Sequence, residues 1–339
     1  MTVMRKVAGK YNSVLARLSL QTGMNLNKPT YICAKMTMRC NSRCAHCDIW
    51  KTEYDETELT TGEWFQALDD LRRWLGGFRM VFTGGEALLR DDMLLILDHA
   101  VRLGIQVELL SNGLILDEQI AGSLVEIGIP QITTSFDGIS SQSHDRFRGE
   151  TGYHALTCRA IEALRQARDE RKKPLRILLK TVISRNNLTE LTEIANWAWS
   201  RNLEVMYQPI EQNYGEEADR YWYRQSPWWI DDIPLLKESL SALKALRSQG
   251  APIVNSAEEF DTMVSYFESP DELMDAVQAH NTGAEAGQCP HAVSNFVLSS
   301  NGDVRMCFKM APIGNISRQK PKEIWKNRAR CWAGPCDYR

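Results

Sequence analysis

Six short segments rich in β-branched and apolar residues set the strongest limit on the fold of this chain. They lie at 31–36, 79–83, 106–110, 131–136, 176–183 and 204–208. Between them the apolar residues fall at helical spacing. Trp64, Leu68, Leu71 and Leu75 make one face of a helix that follows a Thr60-x-x-Glu63 capping signal. Met93, Leu94, Leu97 and Val101 make the next face, and Ile120, Leu124 and Ile127 another; Ile161, Leu164 and Ala167, then Leu191, Ile194 and Trp197, supply two more. Strands joined through single helices demand parallel βαβ crossovers. The class is therefore α/β, and six such units fit a partial, open (β/α)6 TIM-like barrel better than a closed eightfold one. Chemistry in such folds sits at the C-terminal ends of the strands.

Past 215 the pattern breaks. An aromatic run, Tyr221-Trp222-Tyr223-Arg224-Gln225-Ser226-Pro227-Trp228-Trp229, leads into a polar helical region reaching about 280. The last fifty residues change again: 293–300 alternates like a strand, Asn301-Gly302 is a hairpin turn, and 304–308 returns. The expected organisation is a basic amphipathic helix at 1–28, the barrel at 29–215, an aromatic-rich linker and helical region at 216–280, and a small domain containing a β-hairpin at 281–339.

Of 339 residues, 43% are hydrophobic and 24% charged, which excludes wholesale disorder. No apolar run is long enough for a membrane span and no secretory signal is present. The nine cysteines then belong to a reducing, cytoplasmic setting, where they signify metal or redox chemistry. Positions 1–47 hold eight basic residues and no acid, the last 22 residues are basic as well, and the middle is acidic. Met4, Val7, Tyr11, Val14 and Leu18 share one helical face near Arg5, Lys6, Lys10 and Arg17. Such a helix either rests on an anionic membrane surface or caps the bottom of the barrel.

Directly after the first strand comes Cys40-Asn41-Ser42-Arg43-Cys44-Ala45-His46-Cys47, a C-x3-C-x2-C array. Three thiolates on one tight loop each hold one iron of a [4Fe–4S] cluster, for which four cysteines are the usual supply. A fourth iron is thereby left open to an exogenous molecule. Zinc is the rival, but a closed zinc site needs four ligands. The second strand ends in Gly84-Gly85-Glu86, where glycines let the backbone approach a ligand and a carboxylate receives a cationic amine. Ser111-Asn112-Gly113 and Ser135-Phe136-Asp137-Gly138 end the next two strands, and Arg148 offers a two-pronged donor for a carboxylate. Each alone also reads as a cap or turn residue; their succession on consecutive strand ends points to one binding rim.

Across roughly 29–209 the chain resembles the radical S-adenosylmethionine (radical SAM) superfamily. The resemblance implies that Cys40, Cys44 and Cys47 ligate the cluster, that its open iron binds SAM, and that His46 takes the usual aromatic position. It further implies that Gly84, Gly85 and Glu86 hold the SAM amino group, that Ser111, Ser135 and Asp137 meet its polar parts, and that Arg148 binds its carboxylate. Ala87 stands where relatives often have proline. Reductive cleavage of SAM to a 5′-deoxyadenosyl radical, with a ferredoxin or flavodoxin-type electron donor, follows from the same resemblance. Cys289, Cys307, Cys331 and Cys336, with Gly302 four residues' spacing before Cys307, resemble the Twitch form of the SPASM module and imply a second [4Fe–4S] cluster. Four thiolates suit zinc as well. Cys33 reads as a core strand residue and Cys158 as a helix residue.

An auxiliary cluster favours net oxidation, by dehydrogenation or hydroxylation. Trp222, Trp228 and Trp229, beside Tyr221 and Tyr223, either stack on a large planar or apolar substrate such as a tetrapyrrole or lipid, or seal the barrel junction. Modification of a ribosomally made peptide and dehydrogenation of a small sugar-like metabolite are the alternatives. Only about thirty residues precede the first strand, fewer than a leader-binding domain needs. Tyr207, Gln208, Glu211 and Tyr214 follow the last barrel strand and are candidate bases. A zinc-knot nucleic-acid-binding protein is the rival of another class; the acidic middle and the absence of a binding motif argue against nucleic acid.

Overall fold

The structure is a computed structural model and describes residues 3–51, 57–213, 219, 221–272, 291–308 and 310–328. It has two compact units.

The first unit gathers Met1–Met38, Asp55–Val107 and Ala276–Arg339. Its strands β1 (Tyr31–Lys35) and β2 (Arg79–Thr83) pair in parallel, with Cys33 opposite Val81. On its other side β1 pairs in parallel with β7 (Asn295–Leu298). β8 (Asp303–Arg305) returns antiparallel to β7, and β9 (Gly314–Asn315) pairs antiparallel to β8. The turn between β7 and β8 places Gly302 at a φ of 88°, the left-handed region the Asn-Gly signal requires. Helix α1 (Val3–Thr22) opens the chain, and α2 (Thr61–Leu75) starts from the expected capping box of Thr60 and Glu63. Trp64, Leu68 and Leu71 of α2 are buried, as the periodicity required, and α3 is Met93–Arg102. Near the end of this unit α10 (Pro321–Lys326) packs on α2, and Lys320 Nζ lies 2.8 Å from Asp70.

The second unit gathers Arg39–Tyr54 and Glu108–Asp275. Strands β3 (Gln106–Ser111), β4 (Gln131–Ser135), β5 (Arg176–Ile183) and β6 (Glu204–Pro209) are parallel neighbours in that order. Between them run α4 (Glu118–Ile127), α5 (Ser141–Arg148), α6 (Tyr153–Arg171) and α7 (Leu191–Trp199). α8 (Ile233–Ser248) and α9 (Ala257–Glu268) follow β6. Side chains alternate between the faces of a strand, and Ile132, Phe136 and Leu179 turn to the buried helix side with Ile161 and Leu164 of α6. The opposite face carries Glu108, Gln131, Arg176, Lys180 and Glu204 together with Leu110, Leu178 and Val182.

The C-terminal hairpin groups with the first two strands because β7 pairs with β1 from Tyr31 opposite Asn295 to Ala34 opposite Leu298. Cys33 is a buried strand residue and Cys158 lies on α6. On α1, Tyr11, Val14 and Leu18 are exposed, as are Lys10 and Arg17. No described helix is long and apolar enough to cross a membrane.

Candidate functional site

The cysteine loop belongs to the second unit and is held from three directions there. From α5, the Phe147 carbonyl accepts the Ala45 amide at 2.9 Å, and the Phe147 ring stacks on His46 with centroids 4.6 Å apart and planes 9° off parallel. From the end of β3, Asn112 Nδ2 donates to Asn41 Oδ1 at 2.8 Å. After β6, Asn213 Nδ2 donates to the Ala45 carbonyl at 3.2 Å. A loop that must present three thiols at fixed spacing gains from bracing of this kind, since supporting contacts fix the ligands' geometry.

Arg148 is the electrostatic centre of this half-site. Its Nη1 lies 3.5 Å from Cys44 Sγ, while Nε and Nη2 both rest on Asp137 Oδ2. The other carboxylate oxygen of Asp137 accepts the Val182 amide of β5 at 2.6 Å. Burial opposes the charge of Arg148, but Asp137 and the Cys44 sulfur outweigh it, so its pKa rises. His46 is held well below the usual imidazole range by burial, with Arg148 and Lys180 adding to it, so the ring is neutral; among the described residues its buried Nδ1 has no hydrogen-bond partner. Burial pushes the Cys47 thiol up. Three thiols on a braced loop, a cation beside one of them and an unsatisfied imidazole nitrogen fit an iron–sulfur cluster and its ligand.

Gly84, Gly85 and Glu86 end β2 in the first unit. Gly84 has φ 140°, and a Cβ there would meet the Thr37 carbonyl oxygen at 2.2 Å. The Gly85 amide donates to the same oxygen at 2.8 Å. Only glycine permits this approach of two backbones. The buried Glu86 carboxylate accepts the Leu88 amide at 3.1 Å.

Several expected residues take other places. Ser111 pairs with Thr134, so it lies on the opposite strand face from Ser135, and its hydroxyl oxygen accepts the Gly113 amide at 3.1 Å. Its neighbour Asn112 meets the cysteine loop instead. Asp137 is fully committed to Arg148 and Val182, which makes it the residue that positions Arg148. Tyr207 does not face the polar side of β6: it is 1% exposed, packs on Phe260, and donates to the Leu191 carbonyl at 2.7 Å. Burial raises its pKa, which keeps the phenol protonated. Two-residue alternation puts Gln208 on the face that Tyr207 leaves, and Glu211 is exposed just beyond β6. Tyr214, Cys289, Cys331 and Cys336 lie outside the described residues. Cys307 is buried, two residues after β8.

The aromatic run divides. Tyr223 and Trp229 are buried, with Trp229 4.7 Å from the ring of Phe267 on α9. Trp228 packs edge-on against Phe147 at 5.3 Å. With Trp222, Gln212, Asn213, Gln225 and Ala45 of the cysteine loop it lines a cleft of about 320 Å³.

Residues 35–197 match the Radical SAM superfamily, and residues 289–335 match the SPASM iron–sulfur cluster-binding domain. The chain belongs to the radical SAM superfamily. It is an enzyme of that group, and its cofactors are SAM and [4Fe–4S] clusters. Among characterised relatives, it is 28% identical over 309 residues to the AdoMet-dependent heme synthase of Methanosarcina barkeri strain Fusaro, covering 89% of this chain and 83% of that protein. It is also 28% identical over 188 residues to the PqqA peptide cyclase of Rhodopseudomonas palustris, covering 55% of this chain and 48%, or about half, of that one. The Streptococcus suis SuiB structure bound to S-adenosylmethionine aligns with 91% of this chain and 68% of its own, at a TM-score of 0.67 and 15% identity. That likeness concerns the fold, which is α/β with a parallel sheet and an unclosed barrel.

Proposed function

We propose that this enzyme abstracts a hydrogen atom from an unactivated C–H of a tetrapyrrole and leaves it oxidised, by dehydrogenation or hydroxylation. The observation that carries the reading is the cleft lined by Trp222 and Trp228 against Ala45 of the cysteine loop: indole faces offer stacking to a planar macrocycle. The heme synthase relative, matched along most of both chains, supports it.

Cys40, Cys44 and Cys47 would hold the SAM-binding cluster, and Cys289, Cys307, Cys331 and Cys336 the auxiliary one. Reductive cleavage of the bound SAM supplies a 5′-deoxyadenosyl radical able to take hydrogen from carbon. Arg148, fixed by Asp137, would hold the SAM carboxylate; Gly84, Gly85 and Glu86 would take its amino group, and Ser135 a polar part. His46, braced on Phe147, would pack beside it. The chain's part is to fix the target C–H and exclude water. A ferredoxin or flavodoxin-type donor would supply the electron. The exposed Tyr11, Val14 and Leu18 of α1, beside Lys10 and Arg17, support contact with an anionic membrane surface, where a lipophilic substrate partitions.

The test is anaerobic. Wild-type protein should carry about eight irons in two clusters and form 5′-deoxyadenosine together with oxidised porphyrin. Serine at Cys40, Cys44 and Cys47 together should leave about four irons and no 5′-deoxyadenosine. Turnover of a peptide with none of any porphyrin would replace this reading with that of a peptide-modifying enzyme.

A further inference from the structure

The face of the second unit's sheet that carries Glu108 and Lys180 can be read row by row from the strand register. Gln131 lies opposite Glu108 and Arg176, and Ser135 opposite Lys180, which lies opposite Met206. Register partners in a parallel sheet share a face, so Glu108, Gln131, Thr133, Ser135, Arg176, Lys180, Glu204 and Met206 stand together.

Near the N-terminal ends of the strands this face is closed on itself. Glu108 Oε1 accepts from Gln131 Nε2 at 2.8 Å and from the Thr133 hydroxyl at 2.9 Å. Arg176 Nη1 donates to Gln131 Oε1 at 2.9 Å, and Arg176 pairs with Glu204. Lys180 stands two rows further toward the C-terminal ends. It is half-buried, and among the described residues its ammonium makes no hydrogen bond and no ion pair.

The charges that surround it do not supply one. Asp137 is engaged by Arg148 and the Val182 amide, and Glu108 by Gln131 and Thr133. Glu211 faces Lys180 electrostatically without pairing with it, and Arg148 and His46 complete its charged or titratable neighbours. A desolvated ammonium is costly unless an anion meets it. Chemistry in β/α folds lies at the C-terminal ends of the strands, towards which Lys180 stands.

We propose that Lys180 recognises a carboxylate of the substrate. The proposal deepens, and rests on, the tetrapyrrole reading, since biological tetrapyrroles carry acetate and propionate side chains. SAM also has a carboxylate, and Arg148 is the group placed to receive that one, so the two sources are separable. Burial lowers the pKa of Lys180, against the opposing effect of Glu211, as suits a cation that awaits its partner.

The experiment uses holoenzyme with both clusters. It titrates iron coproporphyrin III, which carries four propionates, and its tetramethyl ester by Soret absorbance, and SAM by calorimetry. Lys180→Met should weaken the tetraacid at least tenfold, leave the ester within twofold, and leave SAM affinity unchanged; Lys180→Arg should restore the tetraacid to within about threefold. Undiminished tetraacid binding in Lys180→Met, or a loss that falls on SAM instead, overturns the proposal. If wild-type enzyme binds neither porphyrin, the tetrapyrrole reading fails on its own. Lys180 is then judged by its labelling with an amine-reactive sulfonate, followed by peptide mass spectrometry. Protection by succinate or glutarate, absent with their dimethyl esters, keeps the carboxylate assignment, and equal labelling in all cases removes it.

Discussion

Arg148 and Lys180 are neighbouring cations in one compact unit, and they are built in opposite ways. The guanidinium has its carboxylate supplied by the fold, and Asp137 is in turn fixed by the β5 backbone. Among the described residues, the ammonium has no carboxylate in contact. A charge whose partner is built in acts as scaffold, rigid before any ligand arrives. A charge without one keeps a desolvation penalty in the empty protein that a ligand relieves, so its partner comes from outside.

The contrast breaks most visibly at Asp137. Asp137→Asn leaves a buried guanidinium uncompensated, and the expected loss is about 3–5 kcal/mol of stability, read as a lower urea midpoint. Weaker SAM binding should accompany it, because Arg148 is no longer held. The same measurement on Lys180→Met should move the other way, by about 1–2 kcal/mol, since a side chain of similar length replaces an unpaired ammonium. A destabilised Lys180→Met would mean that the lysine already has its counter-charge. pH separates the two more finely. The folded-state pKa of Lys180 is depressed, so the unfolded chain binds more protons between that value and the ordinary lysine range, and stability contributed by this group rises with pH across that window. Lys180→Met should remove that part of the slope. The smallest effect belongs to Tyr207→Phe. It gives up one neutral hydrogen bond, to a carbonyl that opens α7 and keeps its helical donor, for roughly 0.5–1 kcal/mol. Tetraacid affinity should not change, and a tenfold loss there would return Tyr207 to the binding face.

The strands were readable because alternating apolar residues bounded by glycine and polar turns leave few other readings. The segment 176–183 is β5 without adjustment, and 79–83 is β2. The cysteine loop was readable because thiol spacing is itself the chemistry. Which face a residue takes was harder. Tyr207 and Gln208 are adjacent candidate bases in the sequence, but alternation sends them to opposite sides of β6, and the large ring goes to the helices where its area is buried. Ser111 shares the face of Thr134, while its neighbour Asn112, just past β3, meets the cysteine loop. A lone lysine in the apolar run Arg-Ile-Leu-Leu-Lys-Thr-Val-Ile was a signal available from sequence, since a buried strand seldom spends a charge without purpose. The bracing of the loop by Asn112 and Asn213 joins residues 71 and 168 positions apart and had no local mark.

The pairing of β7 with β1 carries a consequence for anyone who would trim this enzyme. β1 is flanked on both sides, by β2 and by β7, and its backbone groups are thereby consumed. Cutting the chain ahead of the hairpin would strip one flank and present a naked, apolar ribbon of Ile32, Cys33 and Ala34 to solvent, an invitation to stick to its own kind. The tail is thus no detachable accessory: it is masonry, and a minimal catalytic fragment ending before it is a poor candidate for soluble expression.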